Sequence, residues 1–183
     1  MRGVALGVVL AALAAAPAAA PAAAQVAAPA SPAWRPFTEF AFLLGSWSGT
    51  ATSGERIGGR IARFTMELDG TVLVERASTL FPAGDGRPEE TAEEVGYVTY
   101  DRGKRTYVAT YFFSTGVFGT FDVEFLPGGA IRMTAPSLGN YEAGARSRLL
   151  FMPRADGGLD TAVEIAPPGK DFVAFLTSSL KKK

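Results

Sequence analysis

The fold of this chain is decided by the stretch EFAFLLGSWSGT at positions 39–50. An apolar cluster with helical spacing, from Phe40 to Leu44, runs into Gly45, and a short strand that carries Trp47 follows at once. A short helix that feeds a Gly-x-Trp first strand is typical of the closed end of a small antiparallel β-barrel. We therefore expect the helix to plug one end of a barrel.

The rest of the chain supplies strands for such a barrel. Asp69-Gly70 indicates a two-residue hairpin turn, and Pro127-Gly128-Gly129 and Asp156-Gly157-Gly158 indicate three-residue loops. Alternation between these signals predicts strands at about 46–52, 60–68, 71–79, 94–100, 106–113, 119–126, 130–135, 145–152, 159–165 and 171–179. Closure removes the edges that one flat sheet would expose, and a β-sandwich does not explain the helix before Trp47. The prediction is all-β, a closed antiparallel up-and-down barrel of about ten strands.

The composition excludes several kinds of chemistry. The chain has no histidine and no cysteine, so Ser-His-Asp and Cys-His catalysis, ordinary zinc sites and disulfides are all impossible. With 48% hydrophobic residues and 13 Phe, hydrophobic burial can hold the fold together. The net charge is zero with both signs interspersed, which argues against a nucleic-acid partner.

The N-terminal part is expected to lie outside the fold. Residues 1–24 combine Arg2, an apolar run and a small-residue end, which predicts a secretory signal peptide cleaved before Gln25. The apolar run is shorter than the ~20 residues that span a membrane, so no stable membrane insertion is expected. Residues 25–36 form an Ala/Pro-rich lead that we expect to be poorly ordered, and 37–183 form a single barrel domain. The predicted location is periplasmic or secreted.

The first hairpin predicts which residues face the interior. Around Asp69-Gly70, Phe64 opposes Glu75, and opposed residues point to the same side of a sheet. The inner face then carries Ala62, Phe64, Met66, Leu73 and Glu75, while the outer face carries Arg63, Glu67 and Arg76. A slip of one residue would reverse this and turn Arg63 and Arg76 inward as a carboxylate clamp of the kind found in fatty-acid-binding proteins.

The second hairpin predicts an apolar wall inside the barrel. For the neighbouring strand, the sequence pattern does not show which face points inward. Around residues 127–129, Glu124 and Arg132 pair on the wet face, and the wall is formed by Phe121, Val123, Phe125, Ile131 and Met133. In 106–113 both faces are largely apolar, so Tyr111 either projects its hydroxyl into the cavity or has a structural role.

Two motifs carry a resemblance to known families. LLGSWSG at 43–49 resembles the L-L-G-x-W-x-G opening of the nitrobindin-like β-barrels. GYVTYD at 96–101 resembles the G-Y-x-x-Y-D strand end of a neighbouring family of uncharacterised bacterial secreted domains. Both families belong to the calycin type, together with lipocalins. The resemblance implies a ten-stranded barrel with an apolar cavity.

The resemblance does not carry over the nitrobindin cofactor. Nitrobindins hold ferric haem through a histidine near the C-terminus, and this chain has no histidine. Tyrosine can also ligate haem iron, but a tyrosine in a β-protein is far more often a core or rim residue. We therefore expect no haem held by a side-chain nitrogen and no resident cofactor or metal.

Glu75 is the strongest polar candidate for a ligand contact. Burial inside a barrel would raise its pKa, either for use with a ligand or within a structural pair with an arginine such as Arg148. Residues 82–93 form either a gate at the barrel mouth or a connecting loop without further function. The pairs Glu89-Glu90 and Glu93-Glu94 lack the residue spacing of a calcium-binding loop. Trp47 is predicted to plug the end by packing on Phe42 and Leu44. The predicted ligand-binding residues are Phe64, Met66, Glu75, Tyr111, Phe121, Val123 and Met133.

The sequence supports two main function classes. The first is a non-catalytic barrel that binds a small apolar or amphipathic molecule in its interior. The second is a histidine-free isomerase, cyclase or hydrolase that uses Glu75 with a tyrosine or an arginine. A third possibility is an envelope protein whose filled barrel serves structural or partner interactions. The ligand and the oligomeric state are left open.

Overall fold

The computed structural model describes residues 37–84 and 86–183. The predicted signal peptide and Ala/Pro-rich lead lie outside these residues. A 3-10 helix, Thr38–Leu43, precedes the first strand, and a one-turn 3-10 segment, Pro127–Gly129, connects the sixth strand to the seventh. The strands are β1 Gly45–Ser53, β2 Arg56–Glu67, β3 Val72–Phe81, β4 Glu90–Asp101, β5 Thr106–Phe113, β6 Phe118–Phe125, β7 Ile131–Ala135, β8 Arg146–Pro153, β9 Leu159–Ala166 and β10 Val173–Lys182.

The strands close into the predicted barrel. Each one pairs antiparallel with its neighbours in sequence, and β1 also pairs with β10, so none of the ten strands is an edge strand. All ten strands were expected at these places, although β2 and β4 each begin four residues earlier than predicted, at Arg56 and Glu90. Within the described residues, no helix is long and apolar enough to cross a membrane.

The predicted hairpin registers are confirmed. Phe64 pairs with Glu75 and Arg63 with Arg76, while Val123 pairs with Met133 in the second hairpin. The first turn is longer than expected, because β2 ends at Glu67 and β3 begins at Val72. Its four connecting residues include three with positive φ, namely Leu68, Asp69 and Gly70, and they keep the register of a two-residue turn. Arg63 and Arg76 are exposed on the outer face, so the slipped register with two inward arginines is wrong.

The 3-10 helix and Trp47 close one end, here called the plugged end. Phe40 and Leu43 are fully buried, and the Phe40 ring packs edge-on against Tyr107 and Phe125 at centroid distances of 5.0 and 5.3 Å. Trp47 is 3% exposed and donates a hydrogen bond of 2.6 Å from Nε1 to the Leu43 carbonyl oxygen. This bond joins the helix to β1.

The opposite end, here called the mouth, is formed by the loops that follow the odd-numbered strands. The longest of these are the β3–β4 and β7–β8 connections. Glu90 to Glu93 belong to β4, so the β3–β4 loop ends at residue 89 and not at 93 as predicted. Pairing with β3 holds Glu90 and Glu93 in a strand, although glutamate has a low β-propensity.

Candidate functional site

A cavity of about 470 Å³ opens at the mouth. Its floor is apolar, since Phe81 and Leu176 pack together there with Ala51 and with half-buried Val163. Further apolar side chains form the wall, and these are Phe113, Val117, Leu138, Tyr141, Ile165 and Phe175. A cavity of this size and lining is in the range of small-molecule sites, which run from about 300 to 1,000 Å³.

Charged residues stand around the apolar lining. Arg56 forms an ion pair of 2.5 Å with Glu90, donates to the Pro88 carbonyl oxygen at 3.3 Å, and lies over the Phe81 ring at 4.9 Å. Arg87, Glu93 and Glu94 also line the cavity. The rim is therefore polar and partly organised by one arginine, while the interior surface is hydrophobic.

Below the cavity lies a buried cluster of charged and polar side chains. Arg60 donates from Nη1 to the Thr79 hydroxyl at 2.9 Å. Its Nη2 contacts two carboxylates, Glu94 in a short ion pair and Glu75 at 3.5 Å. The side chains of Arg60 and Glu75 are 4% and 2% exposed, whereas that of Glu94 is 11% exposed and reaches the cavity.

Tyr111 completes this cluster from β5. Its hydroxyl donates a hydrogen bond of 2.7 Å to Oε2 of Glu75. The two residues sit on strands separated by β4, and both pair with Gly96 in the register. A Cβ atom at Gly96 would lie 2.3 Å from the Tyr111 ring, so only glycine lets the ring cross the strand. The glycine of the GYVTYD motif thus makes the Tyr111–Glu75 bond possible.

Burial dominates the electrostatics of Glu75. Desolvation, reinforced by the nearby charge of Glu94, raises the pKa of Glu75 to about 8, although Arg60 and the Tyr111 hydrogen bond act in the opposite direction. The carboxyl group is therefore mainly protonated at neutral pH. Because Arg60 is then balanced by Glu94 alone, the buried cluster is close to neutral.

The carboxylates of the cluster also shift the pKa values of Arg60 and Tyr111. Burial acts to lower the pKa of Arg60, but the attraction of Glu94 and Glu75 outweighs it and the pKa is raised. Burial, together with the charge and hydrogen bond of Glu75, raises the pKa of Tyr111 well above its ordinary value. Both groups therefore keep their protons, whereas the raised pKa of Glu75 allows that carboxyl group to exchange its proton near neutral pH.

Comparisons with known proteins support the fold and go no further. No protein-family model matches the chain, and no curated protein matches it. The chain shares its barrel with Rv2717c of M. tuberculosis. The crystal structure of that protein has a TM-score of 0.52 and 14% sequence identity, over 80% of this chain and 98% of the other. At this identity the likeness concerns the fold alone.

The structure places the predicted site residues below the cavity. Phe64, Tyr111, Phe121 and Met133 are packed in the core at 2% exposure or less, and Met66 and Val123 are half-buried. Glu75 and Tyr111 are brought together, and Tyr111 also packs edge-on against Phe121. None of the seven predicted residues is part of the cavity lining. At the plugged end the rings of Phe40, Tyr107 and Phe125 pack against one another.

One predicted partner is wrong. Arg148 does not reach Glu75, because it alternates with the buried Ser147 and Leu149 and so points outward. There it lies 3.9 Å from Glu164 and over the Phe172 ring at 3.8 Å. The partner of Glu75 is Arg60, which the alternation through Ala62 and Phe64 could have identified as an inward residue.

Glu94 and the other lining residues are not among the predicted ligand-binding residues, although the segment 82–93, for which a gate at the mouth was one of two interpretations, contains Arg87, Glu90, Ala92 and Glu93 of the lining. Glu94 is the first residue of the predicted strand 94–100, and alternation does not define the facing of a residue at a strand end. The residues that the structure describes contain no group of three or more His, Cys, Asp or Glu side chains that could hold a metal ion.

Proposed function

We propose that the protein binds a small amphipathic molecule in the mouth cavity, without catalysing a reaction on it. The observation that supports this most directly is the cavity itself, about 470 Å³ with an apolar floor and with the carboxylate of Glu94 in its wall. Apolar lining with a few placed polar groups is the usual character of a ligand site. The nitrobindin-like and calycin-type assignment is part of this proposal, and it rests on the two sequence motifs and the barrel.

A neutral apolar dye tests the proposal. Titration with N-phenyl-1-naphthylamine is expected to give saturable fluorescence enhancement with one dye per chain. Ala92→Phe places a ring in the cavity lining and is expected to abolish the enhancement. Thr99→Phe, on the exposed outer face of the same strand, serves as the matched control and should leave it intact.

Melting curves decide whether the filled variant is folded. Loss of dye binding by a folded Ala92→Phe, with binding kept by Thr99→Phe, supports the cavity as the site. Linear, unsaturable enhancement with the wild-type protein contradicts the proposal. So does equal binding by the wild type and a folded Ala92→Phe.

Secretion to the periplasm or the exterior is the second part of the proposal. The motivation is the charged start, the apolar run and the small-residue end within residues 1–24. N-terminal sequencing of the protein from envelope or culture fractions is expected to begin at Gln25. Recovery of the chain with Met1 intact would contradict this.

A catalytic role is the second candidate function, and one observation favours it. Glu75 contacts both a tyrosine and an arginine, the partner types that a histidine-free acid–base site requires. Glu75 is not part of the cavity lining, however, whereas Glu94 is, so this candidate requires Glu94 to pass the proton to the ligand. A screen of ester and lactone substrates with wild type and Glu94→Gln tests this candidate, which requires turnover that depends on Glu94.

A further inference from the structure

The buried cluster contains one more acidic group than it has cations. Glu75 and Glu94 share a single nitrogen of Arg60, and no other cation lies in the cluster among the described residues. Glu94 lines the cavity, whereas Glu75 lies behind it under the Tyr111 hydroxyl. A head group that approaches the buried cluster from the cavity therefore meets the carboxylate of Glu94 and not the guanidinium of Arg60.

Charge balance decides which head group fits. Without ligand, the Arg60–Glu94 ion pair and a protonated Glu75 together carry no net charge. An ammonium group adds one positive charge, and loss of the Glu75 proton restores zero, because that carboxylate is already 3.5 Å from Arg60. A carboxylate head group would add a negative charge beside Glu94, and a buried unpaired charge is strongly unfavourable.

We propose that the cavity binds an amphiphile whose cationic head group is a primary ammonium. The ammonium binds Glu94, Glu75 releases its proton to solvent, and the ionised Glu75 then pairs with Arg60. The proposal rests on the proposed function and adds the class of ligand and a linked proton. Arg60 needs no displacement, since its Nη2 already lies between the two carboxylates.

The surroundings of Glu75 support this exchange. The charged and titratable groups that face it are Arg60 on β2, Glu94 on β4 and Tyr111 on β5. Arg60 and Tyr111 have raised pKa values and keep their protons. Since the pKa of Glu75 is about 8 before a cation enters, a proton is available for release at neutral pH.

Three ligands of equal chain length test the head group. Decylamine, decan-1-ol and decanoate are titrated into the mature protein by isothermal calorimetry in several buffers of different ionisation enthalpy. Decylamine is expected to bind about ten-fold more tightly than decanol or decanoate, the usual scale of a hydrogen bond to a charged group. About one proton should be released per amine near pH 7, with the number falling towards zero above about pH 9.

Two variants and a control separate the roles of the carboxylates. Glu94→Gln is expected to remove the preference for the amine, so that decylamine and decan-1-ol bind the variant with similar affinity. Glu75→Gln is expected to abolish proton release and to weaken amine binding, because no charge can then compensate the cation. Glu89→Gln removes the same charge from an exposed position outside the cavity lining and should behave like the wild type.

The outcomes are distinguishable from a failure of the proposed function. If none of the three amphiphiles binds, the proposed function itself is wrong. If they bind with equal affinity, or decanoate binds best by means of Arg87 at the rim, the cavity is a site but the cationic head group is wrong. If the wild type binds decylamine without releasing a proton, the exchange of Arg60 is wrong, and this measurement requires no variant to fold.

Discussion

Tyr111 donates a hydrogen bond of 2.7 Å to Glu75 from two strands away, directly over Gly96. The bond links β3 to β5 without passing through the backbone ladder. It exists because Gly96 has no side chain, and it fixes the carboxyl group that lies behind the mouth cavity. The geometry of the buried cluster therefore depends on a residue that carries no functional group.

Gly96→Ala is expected to destabilise the protein by about 1–3 kcal/mol, the usual cost of overpacking a core. The new Cβ would lie within 2.3–2.8 Å of three Tyr111 ring atoms, so the ring must move away from Glu75. Gly59→Ala on β2 is the matched control, because its Cβ would meet no atom within 4 Å. Urea unfolding of both variants checks the prediction, which equal stability of the two would contradict.

Arg60→Met is expected to cost about 3–5 kcal/mol in the free energy of unfolding at neutral pH, since removal of one partner leaves a buried charge uncompensated. Arg63→Met, on the exposed outer face of the same strand, is expected to change stability by no more than about 0.5 kcal/mol. Chemical denaturation measures both. A similar small effect for the two variants would mean that the buried ion pairs contribute little.

The titration of Glu75 predicts how stability depends on pH. The folded-state pKa of about 8 lies above the ordinary value of 4.5, so the folded protein keeps a proton that the unfolded chain has already lost. The contribution of Glu75 to stability is therefore fully present below about pH 4.5 and is lost as the pH rises to about 8. The difference in unfolding free energy between Glu75→Gln and the wild type should grow across this window in favour of the variant.

Carbon-detected NMR of the Glu75 carboxyl group provides the direct check on this titration. A midpoint near 8 is expected in the wild type. A midpoint near about 4.3, as in model peptides, would contradict both the raised pKa and the pH dependence of stability.

Trp47→Ala is expected to destabilise the fold by about 3–5 kcal/mol, the usual cost of emptying a buried aromatic site. Trp47→Phe retains most of the volume and loses the hydrogen bond to Leu43, so it should cost less, about 1 kcal/mol for the bond and the remaining gap. Ligand affinity, corrected for the folded fraction, should be unchanged, because Trp47 is at the plugged end. Normal melting together with lost binding would show that Trp47 contacts the ligand.

Local patterns in the sequence determined the barrel and its facing. Asp69-Gly70 marks the turn, and the period of two residues along a strand then fixes that Phe64, Leu73 and Glu75 face inward. The plugging helix could be predicted for the same reason. Phe40, Leu43 and Trp47 lie within eight positions of one another, so their packing is local. These relationships involve neighbours in sequence, so alternation and turn chemistry are sufficient to predict them.

The tertiary structure alone decided the site. Arg60 and Glu94 are 34 residues apart, and their contact depends on the stagger of three strands around the barrel. The position of the cavity depends on how rings from different elements fill the plugged side, where Phe40, Tyr107 and Phe125 leave the open volume at the mouth. Sequence periodicity gives the side of a strand on which a residue lies. It does not show which inward side chains contact each other or where they leave a cavity, because contacts and cavity both follow from closure of the whole barrel.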